Sequence, residues 1–273
     1  MPHLREIELL FHKYPAEKRY PFNLPLMEKT ERIPFPLPIT MFAGENGTGK
    51  STLLRAMART CGIHIWEAER RRRLSRSPHE DNLHNYLSAG WSNGSVPGSY
   101  FSSDIFRDFA QALDEFALGD PGMLRYFGGR SLMNQSHGES LLTYFGSRYA
   151  IKGLYLLDEP ETALSPSSQI KLVRIITETA ARGDAQFIIA SHSPILLACP
   201  GAMIYSFDEA PPKEIEYEKT EYYRVYREFM NDREKYLCEE PGVRSQKSGD
   251  TDNSRYQIPD SKRKSGSIKN GKS

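Results

Sequence analysis

A chain of 273 residues is long enough to bury a sizeable core and fits one large domain, with or without an appendage. Its 38% hydrophobic and 26% charged residues are ordinary for a soluble globular protein, and no stretch approaches the roughly 18 to 20 uninterrupted apolar residues of a membrane span. The net charge of +1 hides an asymmetry: residues 241–273 hold eight Lys/Arg against three Asp/Glu, so a basic tail follows a mildly acidic body. A mean hydropathy of −0.58 fits that polar tail. The three cysteines, Cys61, Cys199 and Cys238, are odd in number, far apart and without metal-ligand spacing. They argue against a disulfide framework and for a reducing compartment. The opening "MPHLREIELL" carries acids among its apolar residues, unlike a secretory signal. A cytoplasmic protein with no direct membrane insertion is therefore expected.

In chain order, Leu4 to Leu10 reads as a short strand. A proline-rich connection follows through Pro15, Pro21 and Pro25, then Pro34, Pro36 and Pro38, a density that excludes helix there. Ile39 to Ala43 is a buried-strand candidate, followed by a glycine-rich loop and a helix over about Ser51 to Cys61, with Gly62 as its stop. Between Ile63 and Arg130 periodicity weakens, "SAGWSNGSVPGSY" reads as loop, and a helical pattern recovers over Asp104 to Ala117. This middle region, about 63–135, is expected to be a mostly helical insertion. "SLLTYFGSRYA" is the next helix candidate, and Gly153 to Leu157 is a continuous apolar run, as in a parallel strand covered on both faces. Ser165 and Pro166 suit the cap and first position of a helix that Gly183 ends. Gln186 to Ala190 is a second buried strand, followed by strand-like pieces at Ala202 to Phe207 and Glu214 to Glu218. An amphipathic helix then carries Tyr222, Val225, Phe229 and Tyr236. Beyond about Pro241, low hydrophobicity predicts disorder. The alternation of strands and helices means an α/β sheet with crossover connections.

The loop "GENGTGKS", Gly44 to Ser51, matches the phosphate-binding pattern G-x-x-x-x-G-K-[ST] between a strand and a helix. Gly44, Gly47 and Gly49 let successive backbone N–H groups converge on phosphates, with Glu45, Asn46 and Thr48 between them. Lys50 offers a point charge to the β and γ phosphates, Ser51 a hydroxyl to Mg²⁺, and the helix its positive dipole end. The bland alternative, a glycine-rich surface turn, explains neither the lysine nor the strand and helix around it. "LYLLDEPE" ends a strand on Asp158 and Glu159. Asp158 is placed to hold Mg²⁺ through water, and Glu159 to orient or deprotonate an attacking water. His192, in "SHSP" at the end of another buried strand, could reach a γ-phosphate, although a lone histidine is more often structural. "SHGES" places Ser136, Gly138 and Glu139 at a helix start, readable both as a capping box and as an anion site.

GENGTGKS, SHGES, LYLLDEPE, TALS and SHS, in this order and spacing, resemble the ATP-binding-cassette (ABC) ATPases. They are closer to the soluble branch that holds the structural-maintenance-of-chromosomes (SMC) and recombination-repair ATPases, OLD-like proteins and short stand-alone AAA-family ATPases. The resemblance spans roughly Leu4 to Leu237. It implies an α/β P-loop NTPase fold, ABC-ATPase-like, with a largely parallel core sheet, an N-terminal antiparallel β part and a helical insertion. On that reading, residues 1–240 form one ATPase domain and 241–273 a disordered basic tail. It also implies an ATP-dependent homodimer in which Ser136, Gly138 and Glu139 of one copy meet the γ-phosphate held by Gly47, Gly49, Lys50, Ser51 and Thr52 of the other. Glu159 resembles the family's catalytic base, Asp158 its Mg²⁺ ligand and His192 its switch histidine.

Two departures stand out. Near Ser99 to Phe101, where the family's glutamine loop should follow, the sequence runs "SSDIF", leaving Ser102, Ser103 or Asp104 as substitutes. The loop after Glu159 usually ends in aspartate, where this chain has Ala163-Leu164-Ser165-Pro166. Arg70 to Arg73 with Arg76, and the tail, could grip nucleic acid, although a solvated face and a dispensable extension are the plainer readings. Tyr20, Phe22 and Phe35 are candidates to stack on adenine. The expected activity is Mg-dependent ATP hydrolysis, with a role in DNA repair or defence and a DNA or nuclease partner. The alternatives are the nucleotide-binding subunit of a membrane transporter and an ATP-gated scaffold with negligible turnover.

Overall fold

The β-strands divide into two sheets, and the reason lies in which residues have both faces covered. In the computed structural model, which describes residues 1–16, 19–66, 78–127, 129–134, 137–149 and 151–237, six strands form one sheet: β3 (Ile39–Ala43), β5 (Gly98–Ser102), β6 (Gly153–Asp158), β7 (Ala185–Ala190), β8 (Met203–Ser206) and β9 (Lys213–Glu214). Their order is β5-β6-β7-β3-β8-β9, parallel except for β9. Every residue of β3, β6 and β7 is buried, as expected of central parallel strands covered on both faces.

Alternate residues of these strands feed two cores. Phe42, Leu154, Leu156 and Ile188 face one side, with Leu53, Leu54 and Met57 of helix α2 (Lys50–Thr60). Met41, Tyr155, Leu157, Phe187 and Ile189 face the other. There they meet Phe106, Phe145, Leu172 and Ile176 of α4 (Ser103–Gly119), α5 (His137–Arg148) and α6 (Pro166–Ala181). The second sheet, antiparallel, has the order β2 (Arg32–Pro34), β1 (Leu4–Leu9), β4 (Leu87–Trp91), and its Leu4, Ile7 and Leu9 join the α2 core. The register of β1 against β4 shifts between Leu4 and Glu6; this irregularity puts Leu4 on the face of Ile7 despite a spacing of three. Gln186, fully buried, ties the sheets together by accepting from Leu4 N and donating to Leu4 O, each at 2.8 Å. Both ends of its amide are thereby satisfied, as burial requires.

The fold class expected from the sequence is the one observed: a mostly parallel α/β sheet with an antiparallel partner. Two local readings are corrected. The proline-rich stretch contains a five-residue helix, α1 (Pro25–Lys29), because a proline at the first helical position gives up an N–H that has no partner there anyway. The middle region holds short α3 (Pro78–Asn82) and long α4, but also β4 and β5. "SAGWSNGSVPGSY" is therefore strand at both ends, 88–91 and 98–100, and loop between them, with β5 beside β6 in the main sheet. Its glycines and serines hid that: Gly98 and Ser99 are only half-buried at the edge, while Tyr100 and Phe101 are packed.

Compact α7 (Pro194–Leu197) and α8 (Glu221–Asn231) complete a unit spanning Met1–Arg233. The second unit, Glu234–Ser273, is described only at a short helix, α9 (Glu234–Leu237). The expected disordered tail and the arginine run at 70–73 and 76 lie outside the described residues, as do Cys238 and Ser136. No described helix is long and apolar enough to cross a membrane.

Candidate functional site

The carboxyl ends of β3, β6 and β7 lie side by side, and the residues following each strand converge there. After β3 the chain enters Gly44 to Gly49, where Gly47 (φ 84°) and Gly49 (φ 98°) adopt left-handed backbone conformations, which a side chain would strain. Gly49 immediately precedes α2. Lys50 is buried at 4% exposure, and its ammonium donates to Gly44 O at 2.5 Å and to Glu45 O at 2.7 Å. Burial pushes its pKa down, opposed by the charges of Glu159, Asp208, Asp158 and Glu161. Asp208, after β8, accepts from Glu45 N at 2.9 Å and so anchors the loop's outer edge.

β6 ends on Asp158, a carboxylate only 6% exposed. One oxygen accepts from Ser51 Oγ at 2.8 Å, the other from Tyr100 OH at 3.0 Å. Burial raises its pKa, and the two hydroxyl donors pull it back. The pairing of a hydroxyl with a buried carboxylate is a hard-oxygen donor set that suits Mg²⁺. Among the described residues no group of three or more His, Cys, Asp or Glu could hold a metal ion, so a cation here would draw its remaining ligands from phosphate or water.

The next residue, Glu159, is the one described non-glycine with positive φ (47°). Such a conformation is strained for an L-residue and clusters at functional sites. Its N–H donates to Ala190 O at 2.9 Å, while Ser103 Oγ donates to Glu159 O at 2.8 Å. The backbone is thus held from β7 on one side and from the start of α4 on the other. Its side chain meets His192, Nε2 to Oε1 at 3.1 Å, and is 40% exposed. This hydrogen bond is the main cause holding the Glu159 carboxyl below its usual range, ahead of the opposing effect of burial.

His192 follows β7. Its own N–H and Ser191 Oγ both donate to Glu161 Oε1, at 2.6 and 2.9 Å. Burial lifts the pKa of Glu161 against those bonds. Ser193 caps α7 and donates to Gln169 Oε1 at 2.5 Å. Gln169 in turn donates to Leu164 O at 2.9 Å, fastening the loop after Glu159 to the loop after β7.

Of the candidate residues, the structure brings together Gly44 to Thr52, Asp158, Glu159 and His192. Gly138 and Glu139 stand in the first turn of α5, with Glu139 exposed. Among the glutamine-loop substitutes, Ser103 touches Glu159 and Ser102 lies in register with Asp158. Of the three aromatic candidates, Phe22 and Phe35 are core residues at 2% and 0% exposure, whereas Tyr20 is 40% exposed with its hydroxyl 2.6 Å from Thr52 Oγ1.

The family model described as "AAA domain, putative AbiEii toxin, Type IV TA system" matches residues 67–198, which include Asp158, Glu159 and His192 and begin after the phosphate loop. The phosphate-loop pattern follows β3 and the acidic pair stands at the end of β6, with β7 between the two strands. The fold is that of a P-loop NTPase, with a glycine-rich loop between a buried strand and a helix at the carboxyl edge of a mostly parallel sheet. Solved structures similar to this fold include the SMC head domain from Thermotoga maritima: 15% identity, 79% of this chain and 100% of that one, TM-score 0.45. An ATP-binding cassette of an ABC transporter in its ADP conformation matches at 15% identity, 88% of this chain and 100% of that one, TM-score 0.48. A component of an ABC transporter complex from Clostridium perfringens matches at 15% identity, 84% and 96% coverage, TM-score 0.45. No curated protein matches the chain.

Sequence reasoning missed Tyr100, Glu161, Asp208 and Tyr222, all of which bond to site residues, and Gln169, which braces the two loops beside them. Glu161 carried a signal, being part of "DEPE". The others carried none, because each reaches the site from an element whose pattern explains it as packing or turn.

Proposed function

We propose that this protein binds Mg-ATP and hydrolyses it by attack of a water on the γ-phosphate, with Glu159 as general base. The observation that carries this reading is the Glu159 carboxylate itself. It is kept ionised beside His192, on a strained strand-end residue, within the electrostatic reach of Lys50. An ionised base fixed in place can accept the proton of a water that a mobile carboxylate would not orient. Gly44, Asn46, Gly47, Thr48 and Gly49 offer backbone N–H groups to the phosphates, Glu45 its own once it leaves Asp208, and Lys50 its ammonium once it exchanges carbonyl partners for phosphate oxygens. Asp158 and Ser51 would hold Mg²⁺, which when bound neutralises charge on the transferring phosphoryl group. Tyr20, exposed beside Thr52, is the candidate stacking surface for adenine.

The same reading makes the working species an ATP-bridged homodimer, with Ser136, Gly138 and Glu139 of one copy facing the phosphates of the other. The position of Gly138 and Glu139 in the first turn of α5 supports this, since a helix N-terminus favours an anion. A role in defence draws support from the family description, which names a toxin and a type IV TA system.

The test is Glu159→Gln. Steady-state phosphate release should fall by roughly 10²- to 10⁴-fold, the usual worth of a positioned base. Nucleotide should remain bound, and light scattering with Mg-ATP should show dimers accumulating. Hydrolysis at the parent rate removes Glu159 from the mechanism. ATPase rates with and without duplex DNA at two salt concentrations test the nucleic-acid role, which a DNA-indifferent rate refutes.

A further inference from the structure

Tyr222 enters the site from α8, a helix with no buried residue. Its hydroxyl lies 2.9 Å from Gly44 O and 2.5 Å from His192 Nδ1, and its ring meets the imidazole edge-on at 5.3 Å between centroids. Gly44 O is also the acceptor for Lys50, and His192 Nε2 is the contact to Glu159. One unbroken chain of polar contacts therefore runs from the phosphate loop through Tyr222 and His192 to the carboxylate of Glu159.

The protons in this chain can be counted. A carbonyl oxygen only accepts and a phenol carries one proton, so Tyr222 donates to Gly44 O. His192 Nδ1 must then donate to the Tyr222 oxygen, and because an ionised Glu159 can only accept, Nε2 donates to Oε1. The protons and orientation of a histidine ring are set by the bonds its nitrogens make. Here the Nδ1 proton is held by Tyr222.

We propose that Tyr222 is a positioning residue for the reaction assigned above: its hydroxyl, anchored on Gly44 O, fixes the orientation and the Nδ1 proton of His192 and thereby the carboxylate of Glu159. The inference rests on the hydrolytic reading for its kinetic consequence but not for its structural one. The first turn of α8 thus becomes part of the reaction centre, although it lies in sequence beyond every motif that marks the site.

The experiment is Tyr222→Phe, which keeps the ring and its edge contact and removes only the hydroxyl. ATP turnover should fall about tenfold in kcat, part of the roughly 10²- to 10⁴-fold a positioned base contributes, with KM for ATP within about twofold of the parent. In a His192→Gln background the same change should cost nothing further. An unchanged kcat, or the same tenfold loss when His192 is already absent, overturns the proposal. A second readout needs no turnover: long-range ¹H–¹⁵N spectra of histidine-labelled protein, with His192→Gln used for assignment. The parent should show a protonated Nδ1 at His192, and Tyr222→Phe should change that pattern; superposable imidazole signals overturn the proposal. If the parent hydrolyses no ATP, the proposed function fails, while the ring-nitrogen comparison still decides the role of Tyr222.

Discussion

Helices α2 and α8 both end in the site, and they reach it by opposite means. α2 buries seven of its eleven residues, including Leu53, Leu54 and Met57 between the two sheets. It delivers Lys50 and Ser51 at its first turn. α8 is the same length and buries none; Val225 and Met230 are 46% and 74% exposed. It delivers Tyr222 through a capped first turn, in which Thr220 Oγ1 accepts from Tyr223 N. A site residue can therefore be positioned by packing along a whole helix, or by a cap, two hydrogen bonds and the packing of its own ring. The first arrangement couples function to fold stability, whereas the second leaves them separable.

Substitutions at the two helices can break this comparison or sharpen it. Leu53→Ala should be the most costly to the fold, at about 2–5 kcal/mol, as for a fully buried leucine that leaves a cavity. Denaturant unfolding measures it, and a cost below about 1 kcal/mol would mean α2 is not the clamp between the sheets. Lys50→Ala should weaken ATP binding roughly 10- to 100-fold, the worth of a charge-assisted hydrogen bond of about 1.5–3 kcal/mol; calorimetric titration with Mg-ATP reads it. Val225→Ala should change stability by no more than about 0.5 kcal/mol, as at an exposed surface position. A large loss there would show that α8 is packed and that Tyr222 is held by more than its own turn.

The legible parts of the molecule share a physical origin. Ile39 to Ala43 and Gly153 to Asp158 are central strands, so both faces demand apolar residues and the run is continuous. Phosphate loops need glycine where the backbone turns left-handed, and Gly47 and Gly49 do so. Ser165 and Pro166 announced α6 because helix ends obey local chemistry. β5 was not legible, since an edge strand need bury only Tyr100, Phe101 and Ser102, and two half-buried small residues, Gly98 and Ser99, read as loop. Tyr100 and Tyr222 were equally silent. A tyrosine on an amphipathic pattern looks like packing until its hydroxyl is seen to meet Asp158 or His192.

By itself the amino-acid order determined which short segment carries the phosphate-loop pattern and which acids end a strand, because those demands act within a few residues of backbone. Only the tertiary structure decided that Glu159 faces His192, that Asp158 is shared by Ser51 and Tyr100, and that α8 closes the circle at Gly44. These contacts join residues 33 to 178 positions apart, and at such separations it is the order of strands in the sheet, not the spacing of residues along the chain, that sets who meets whom.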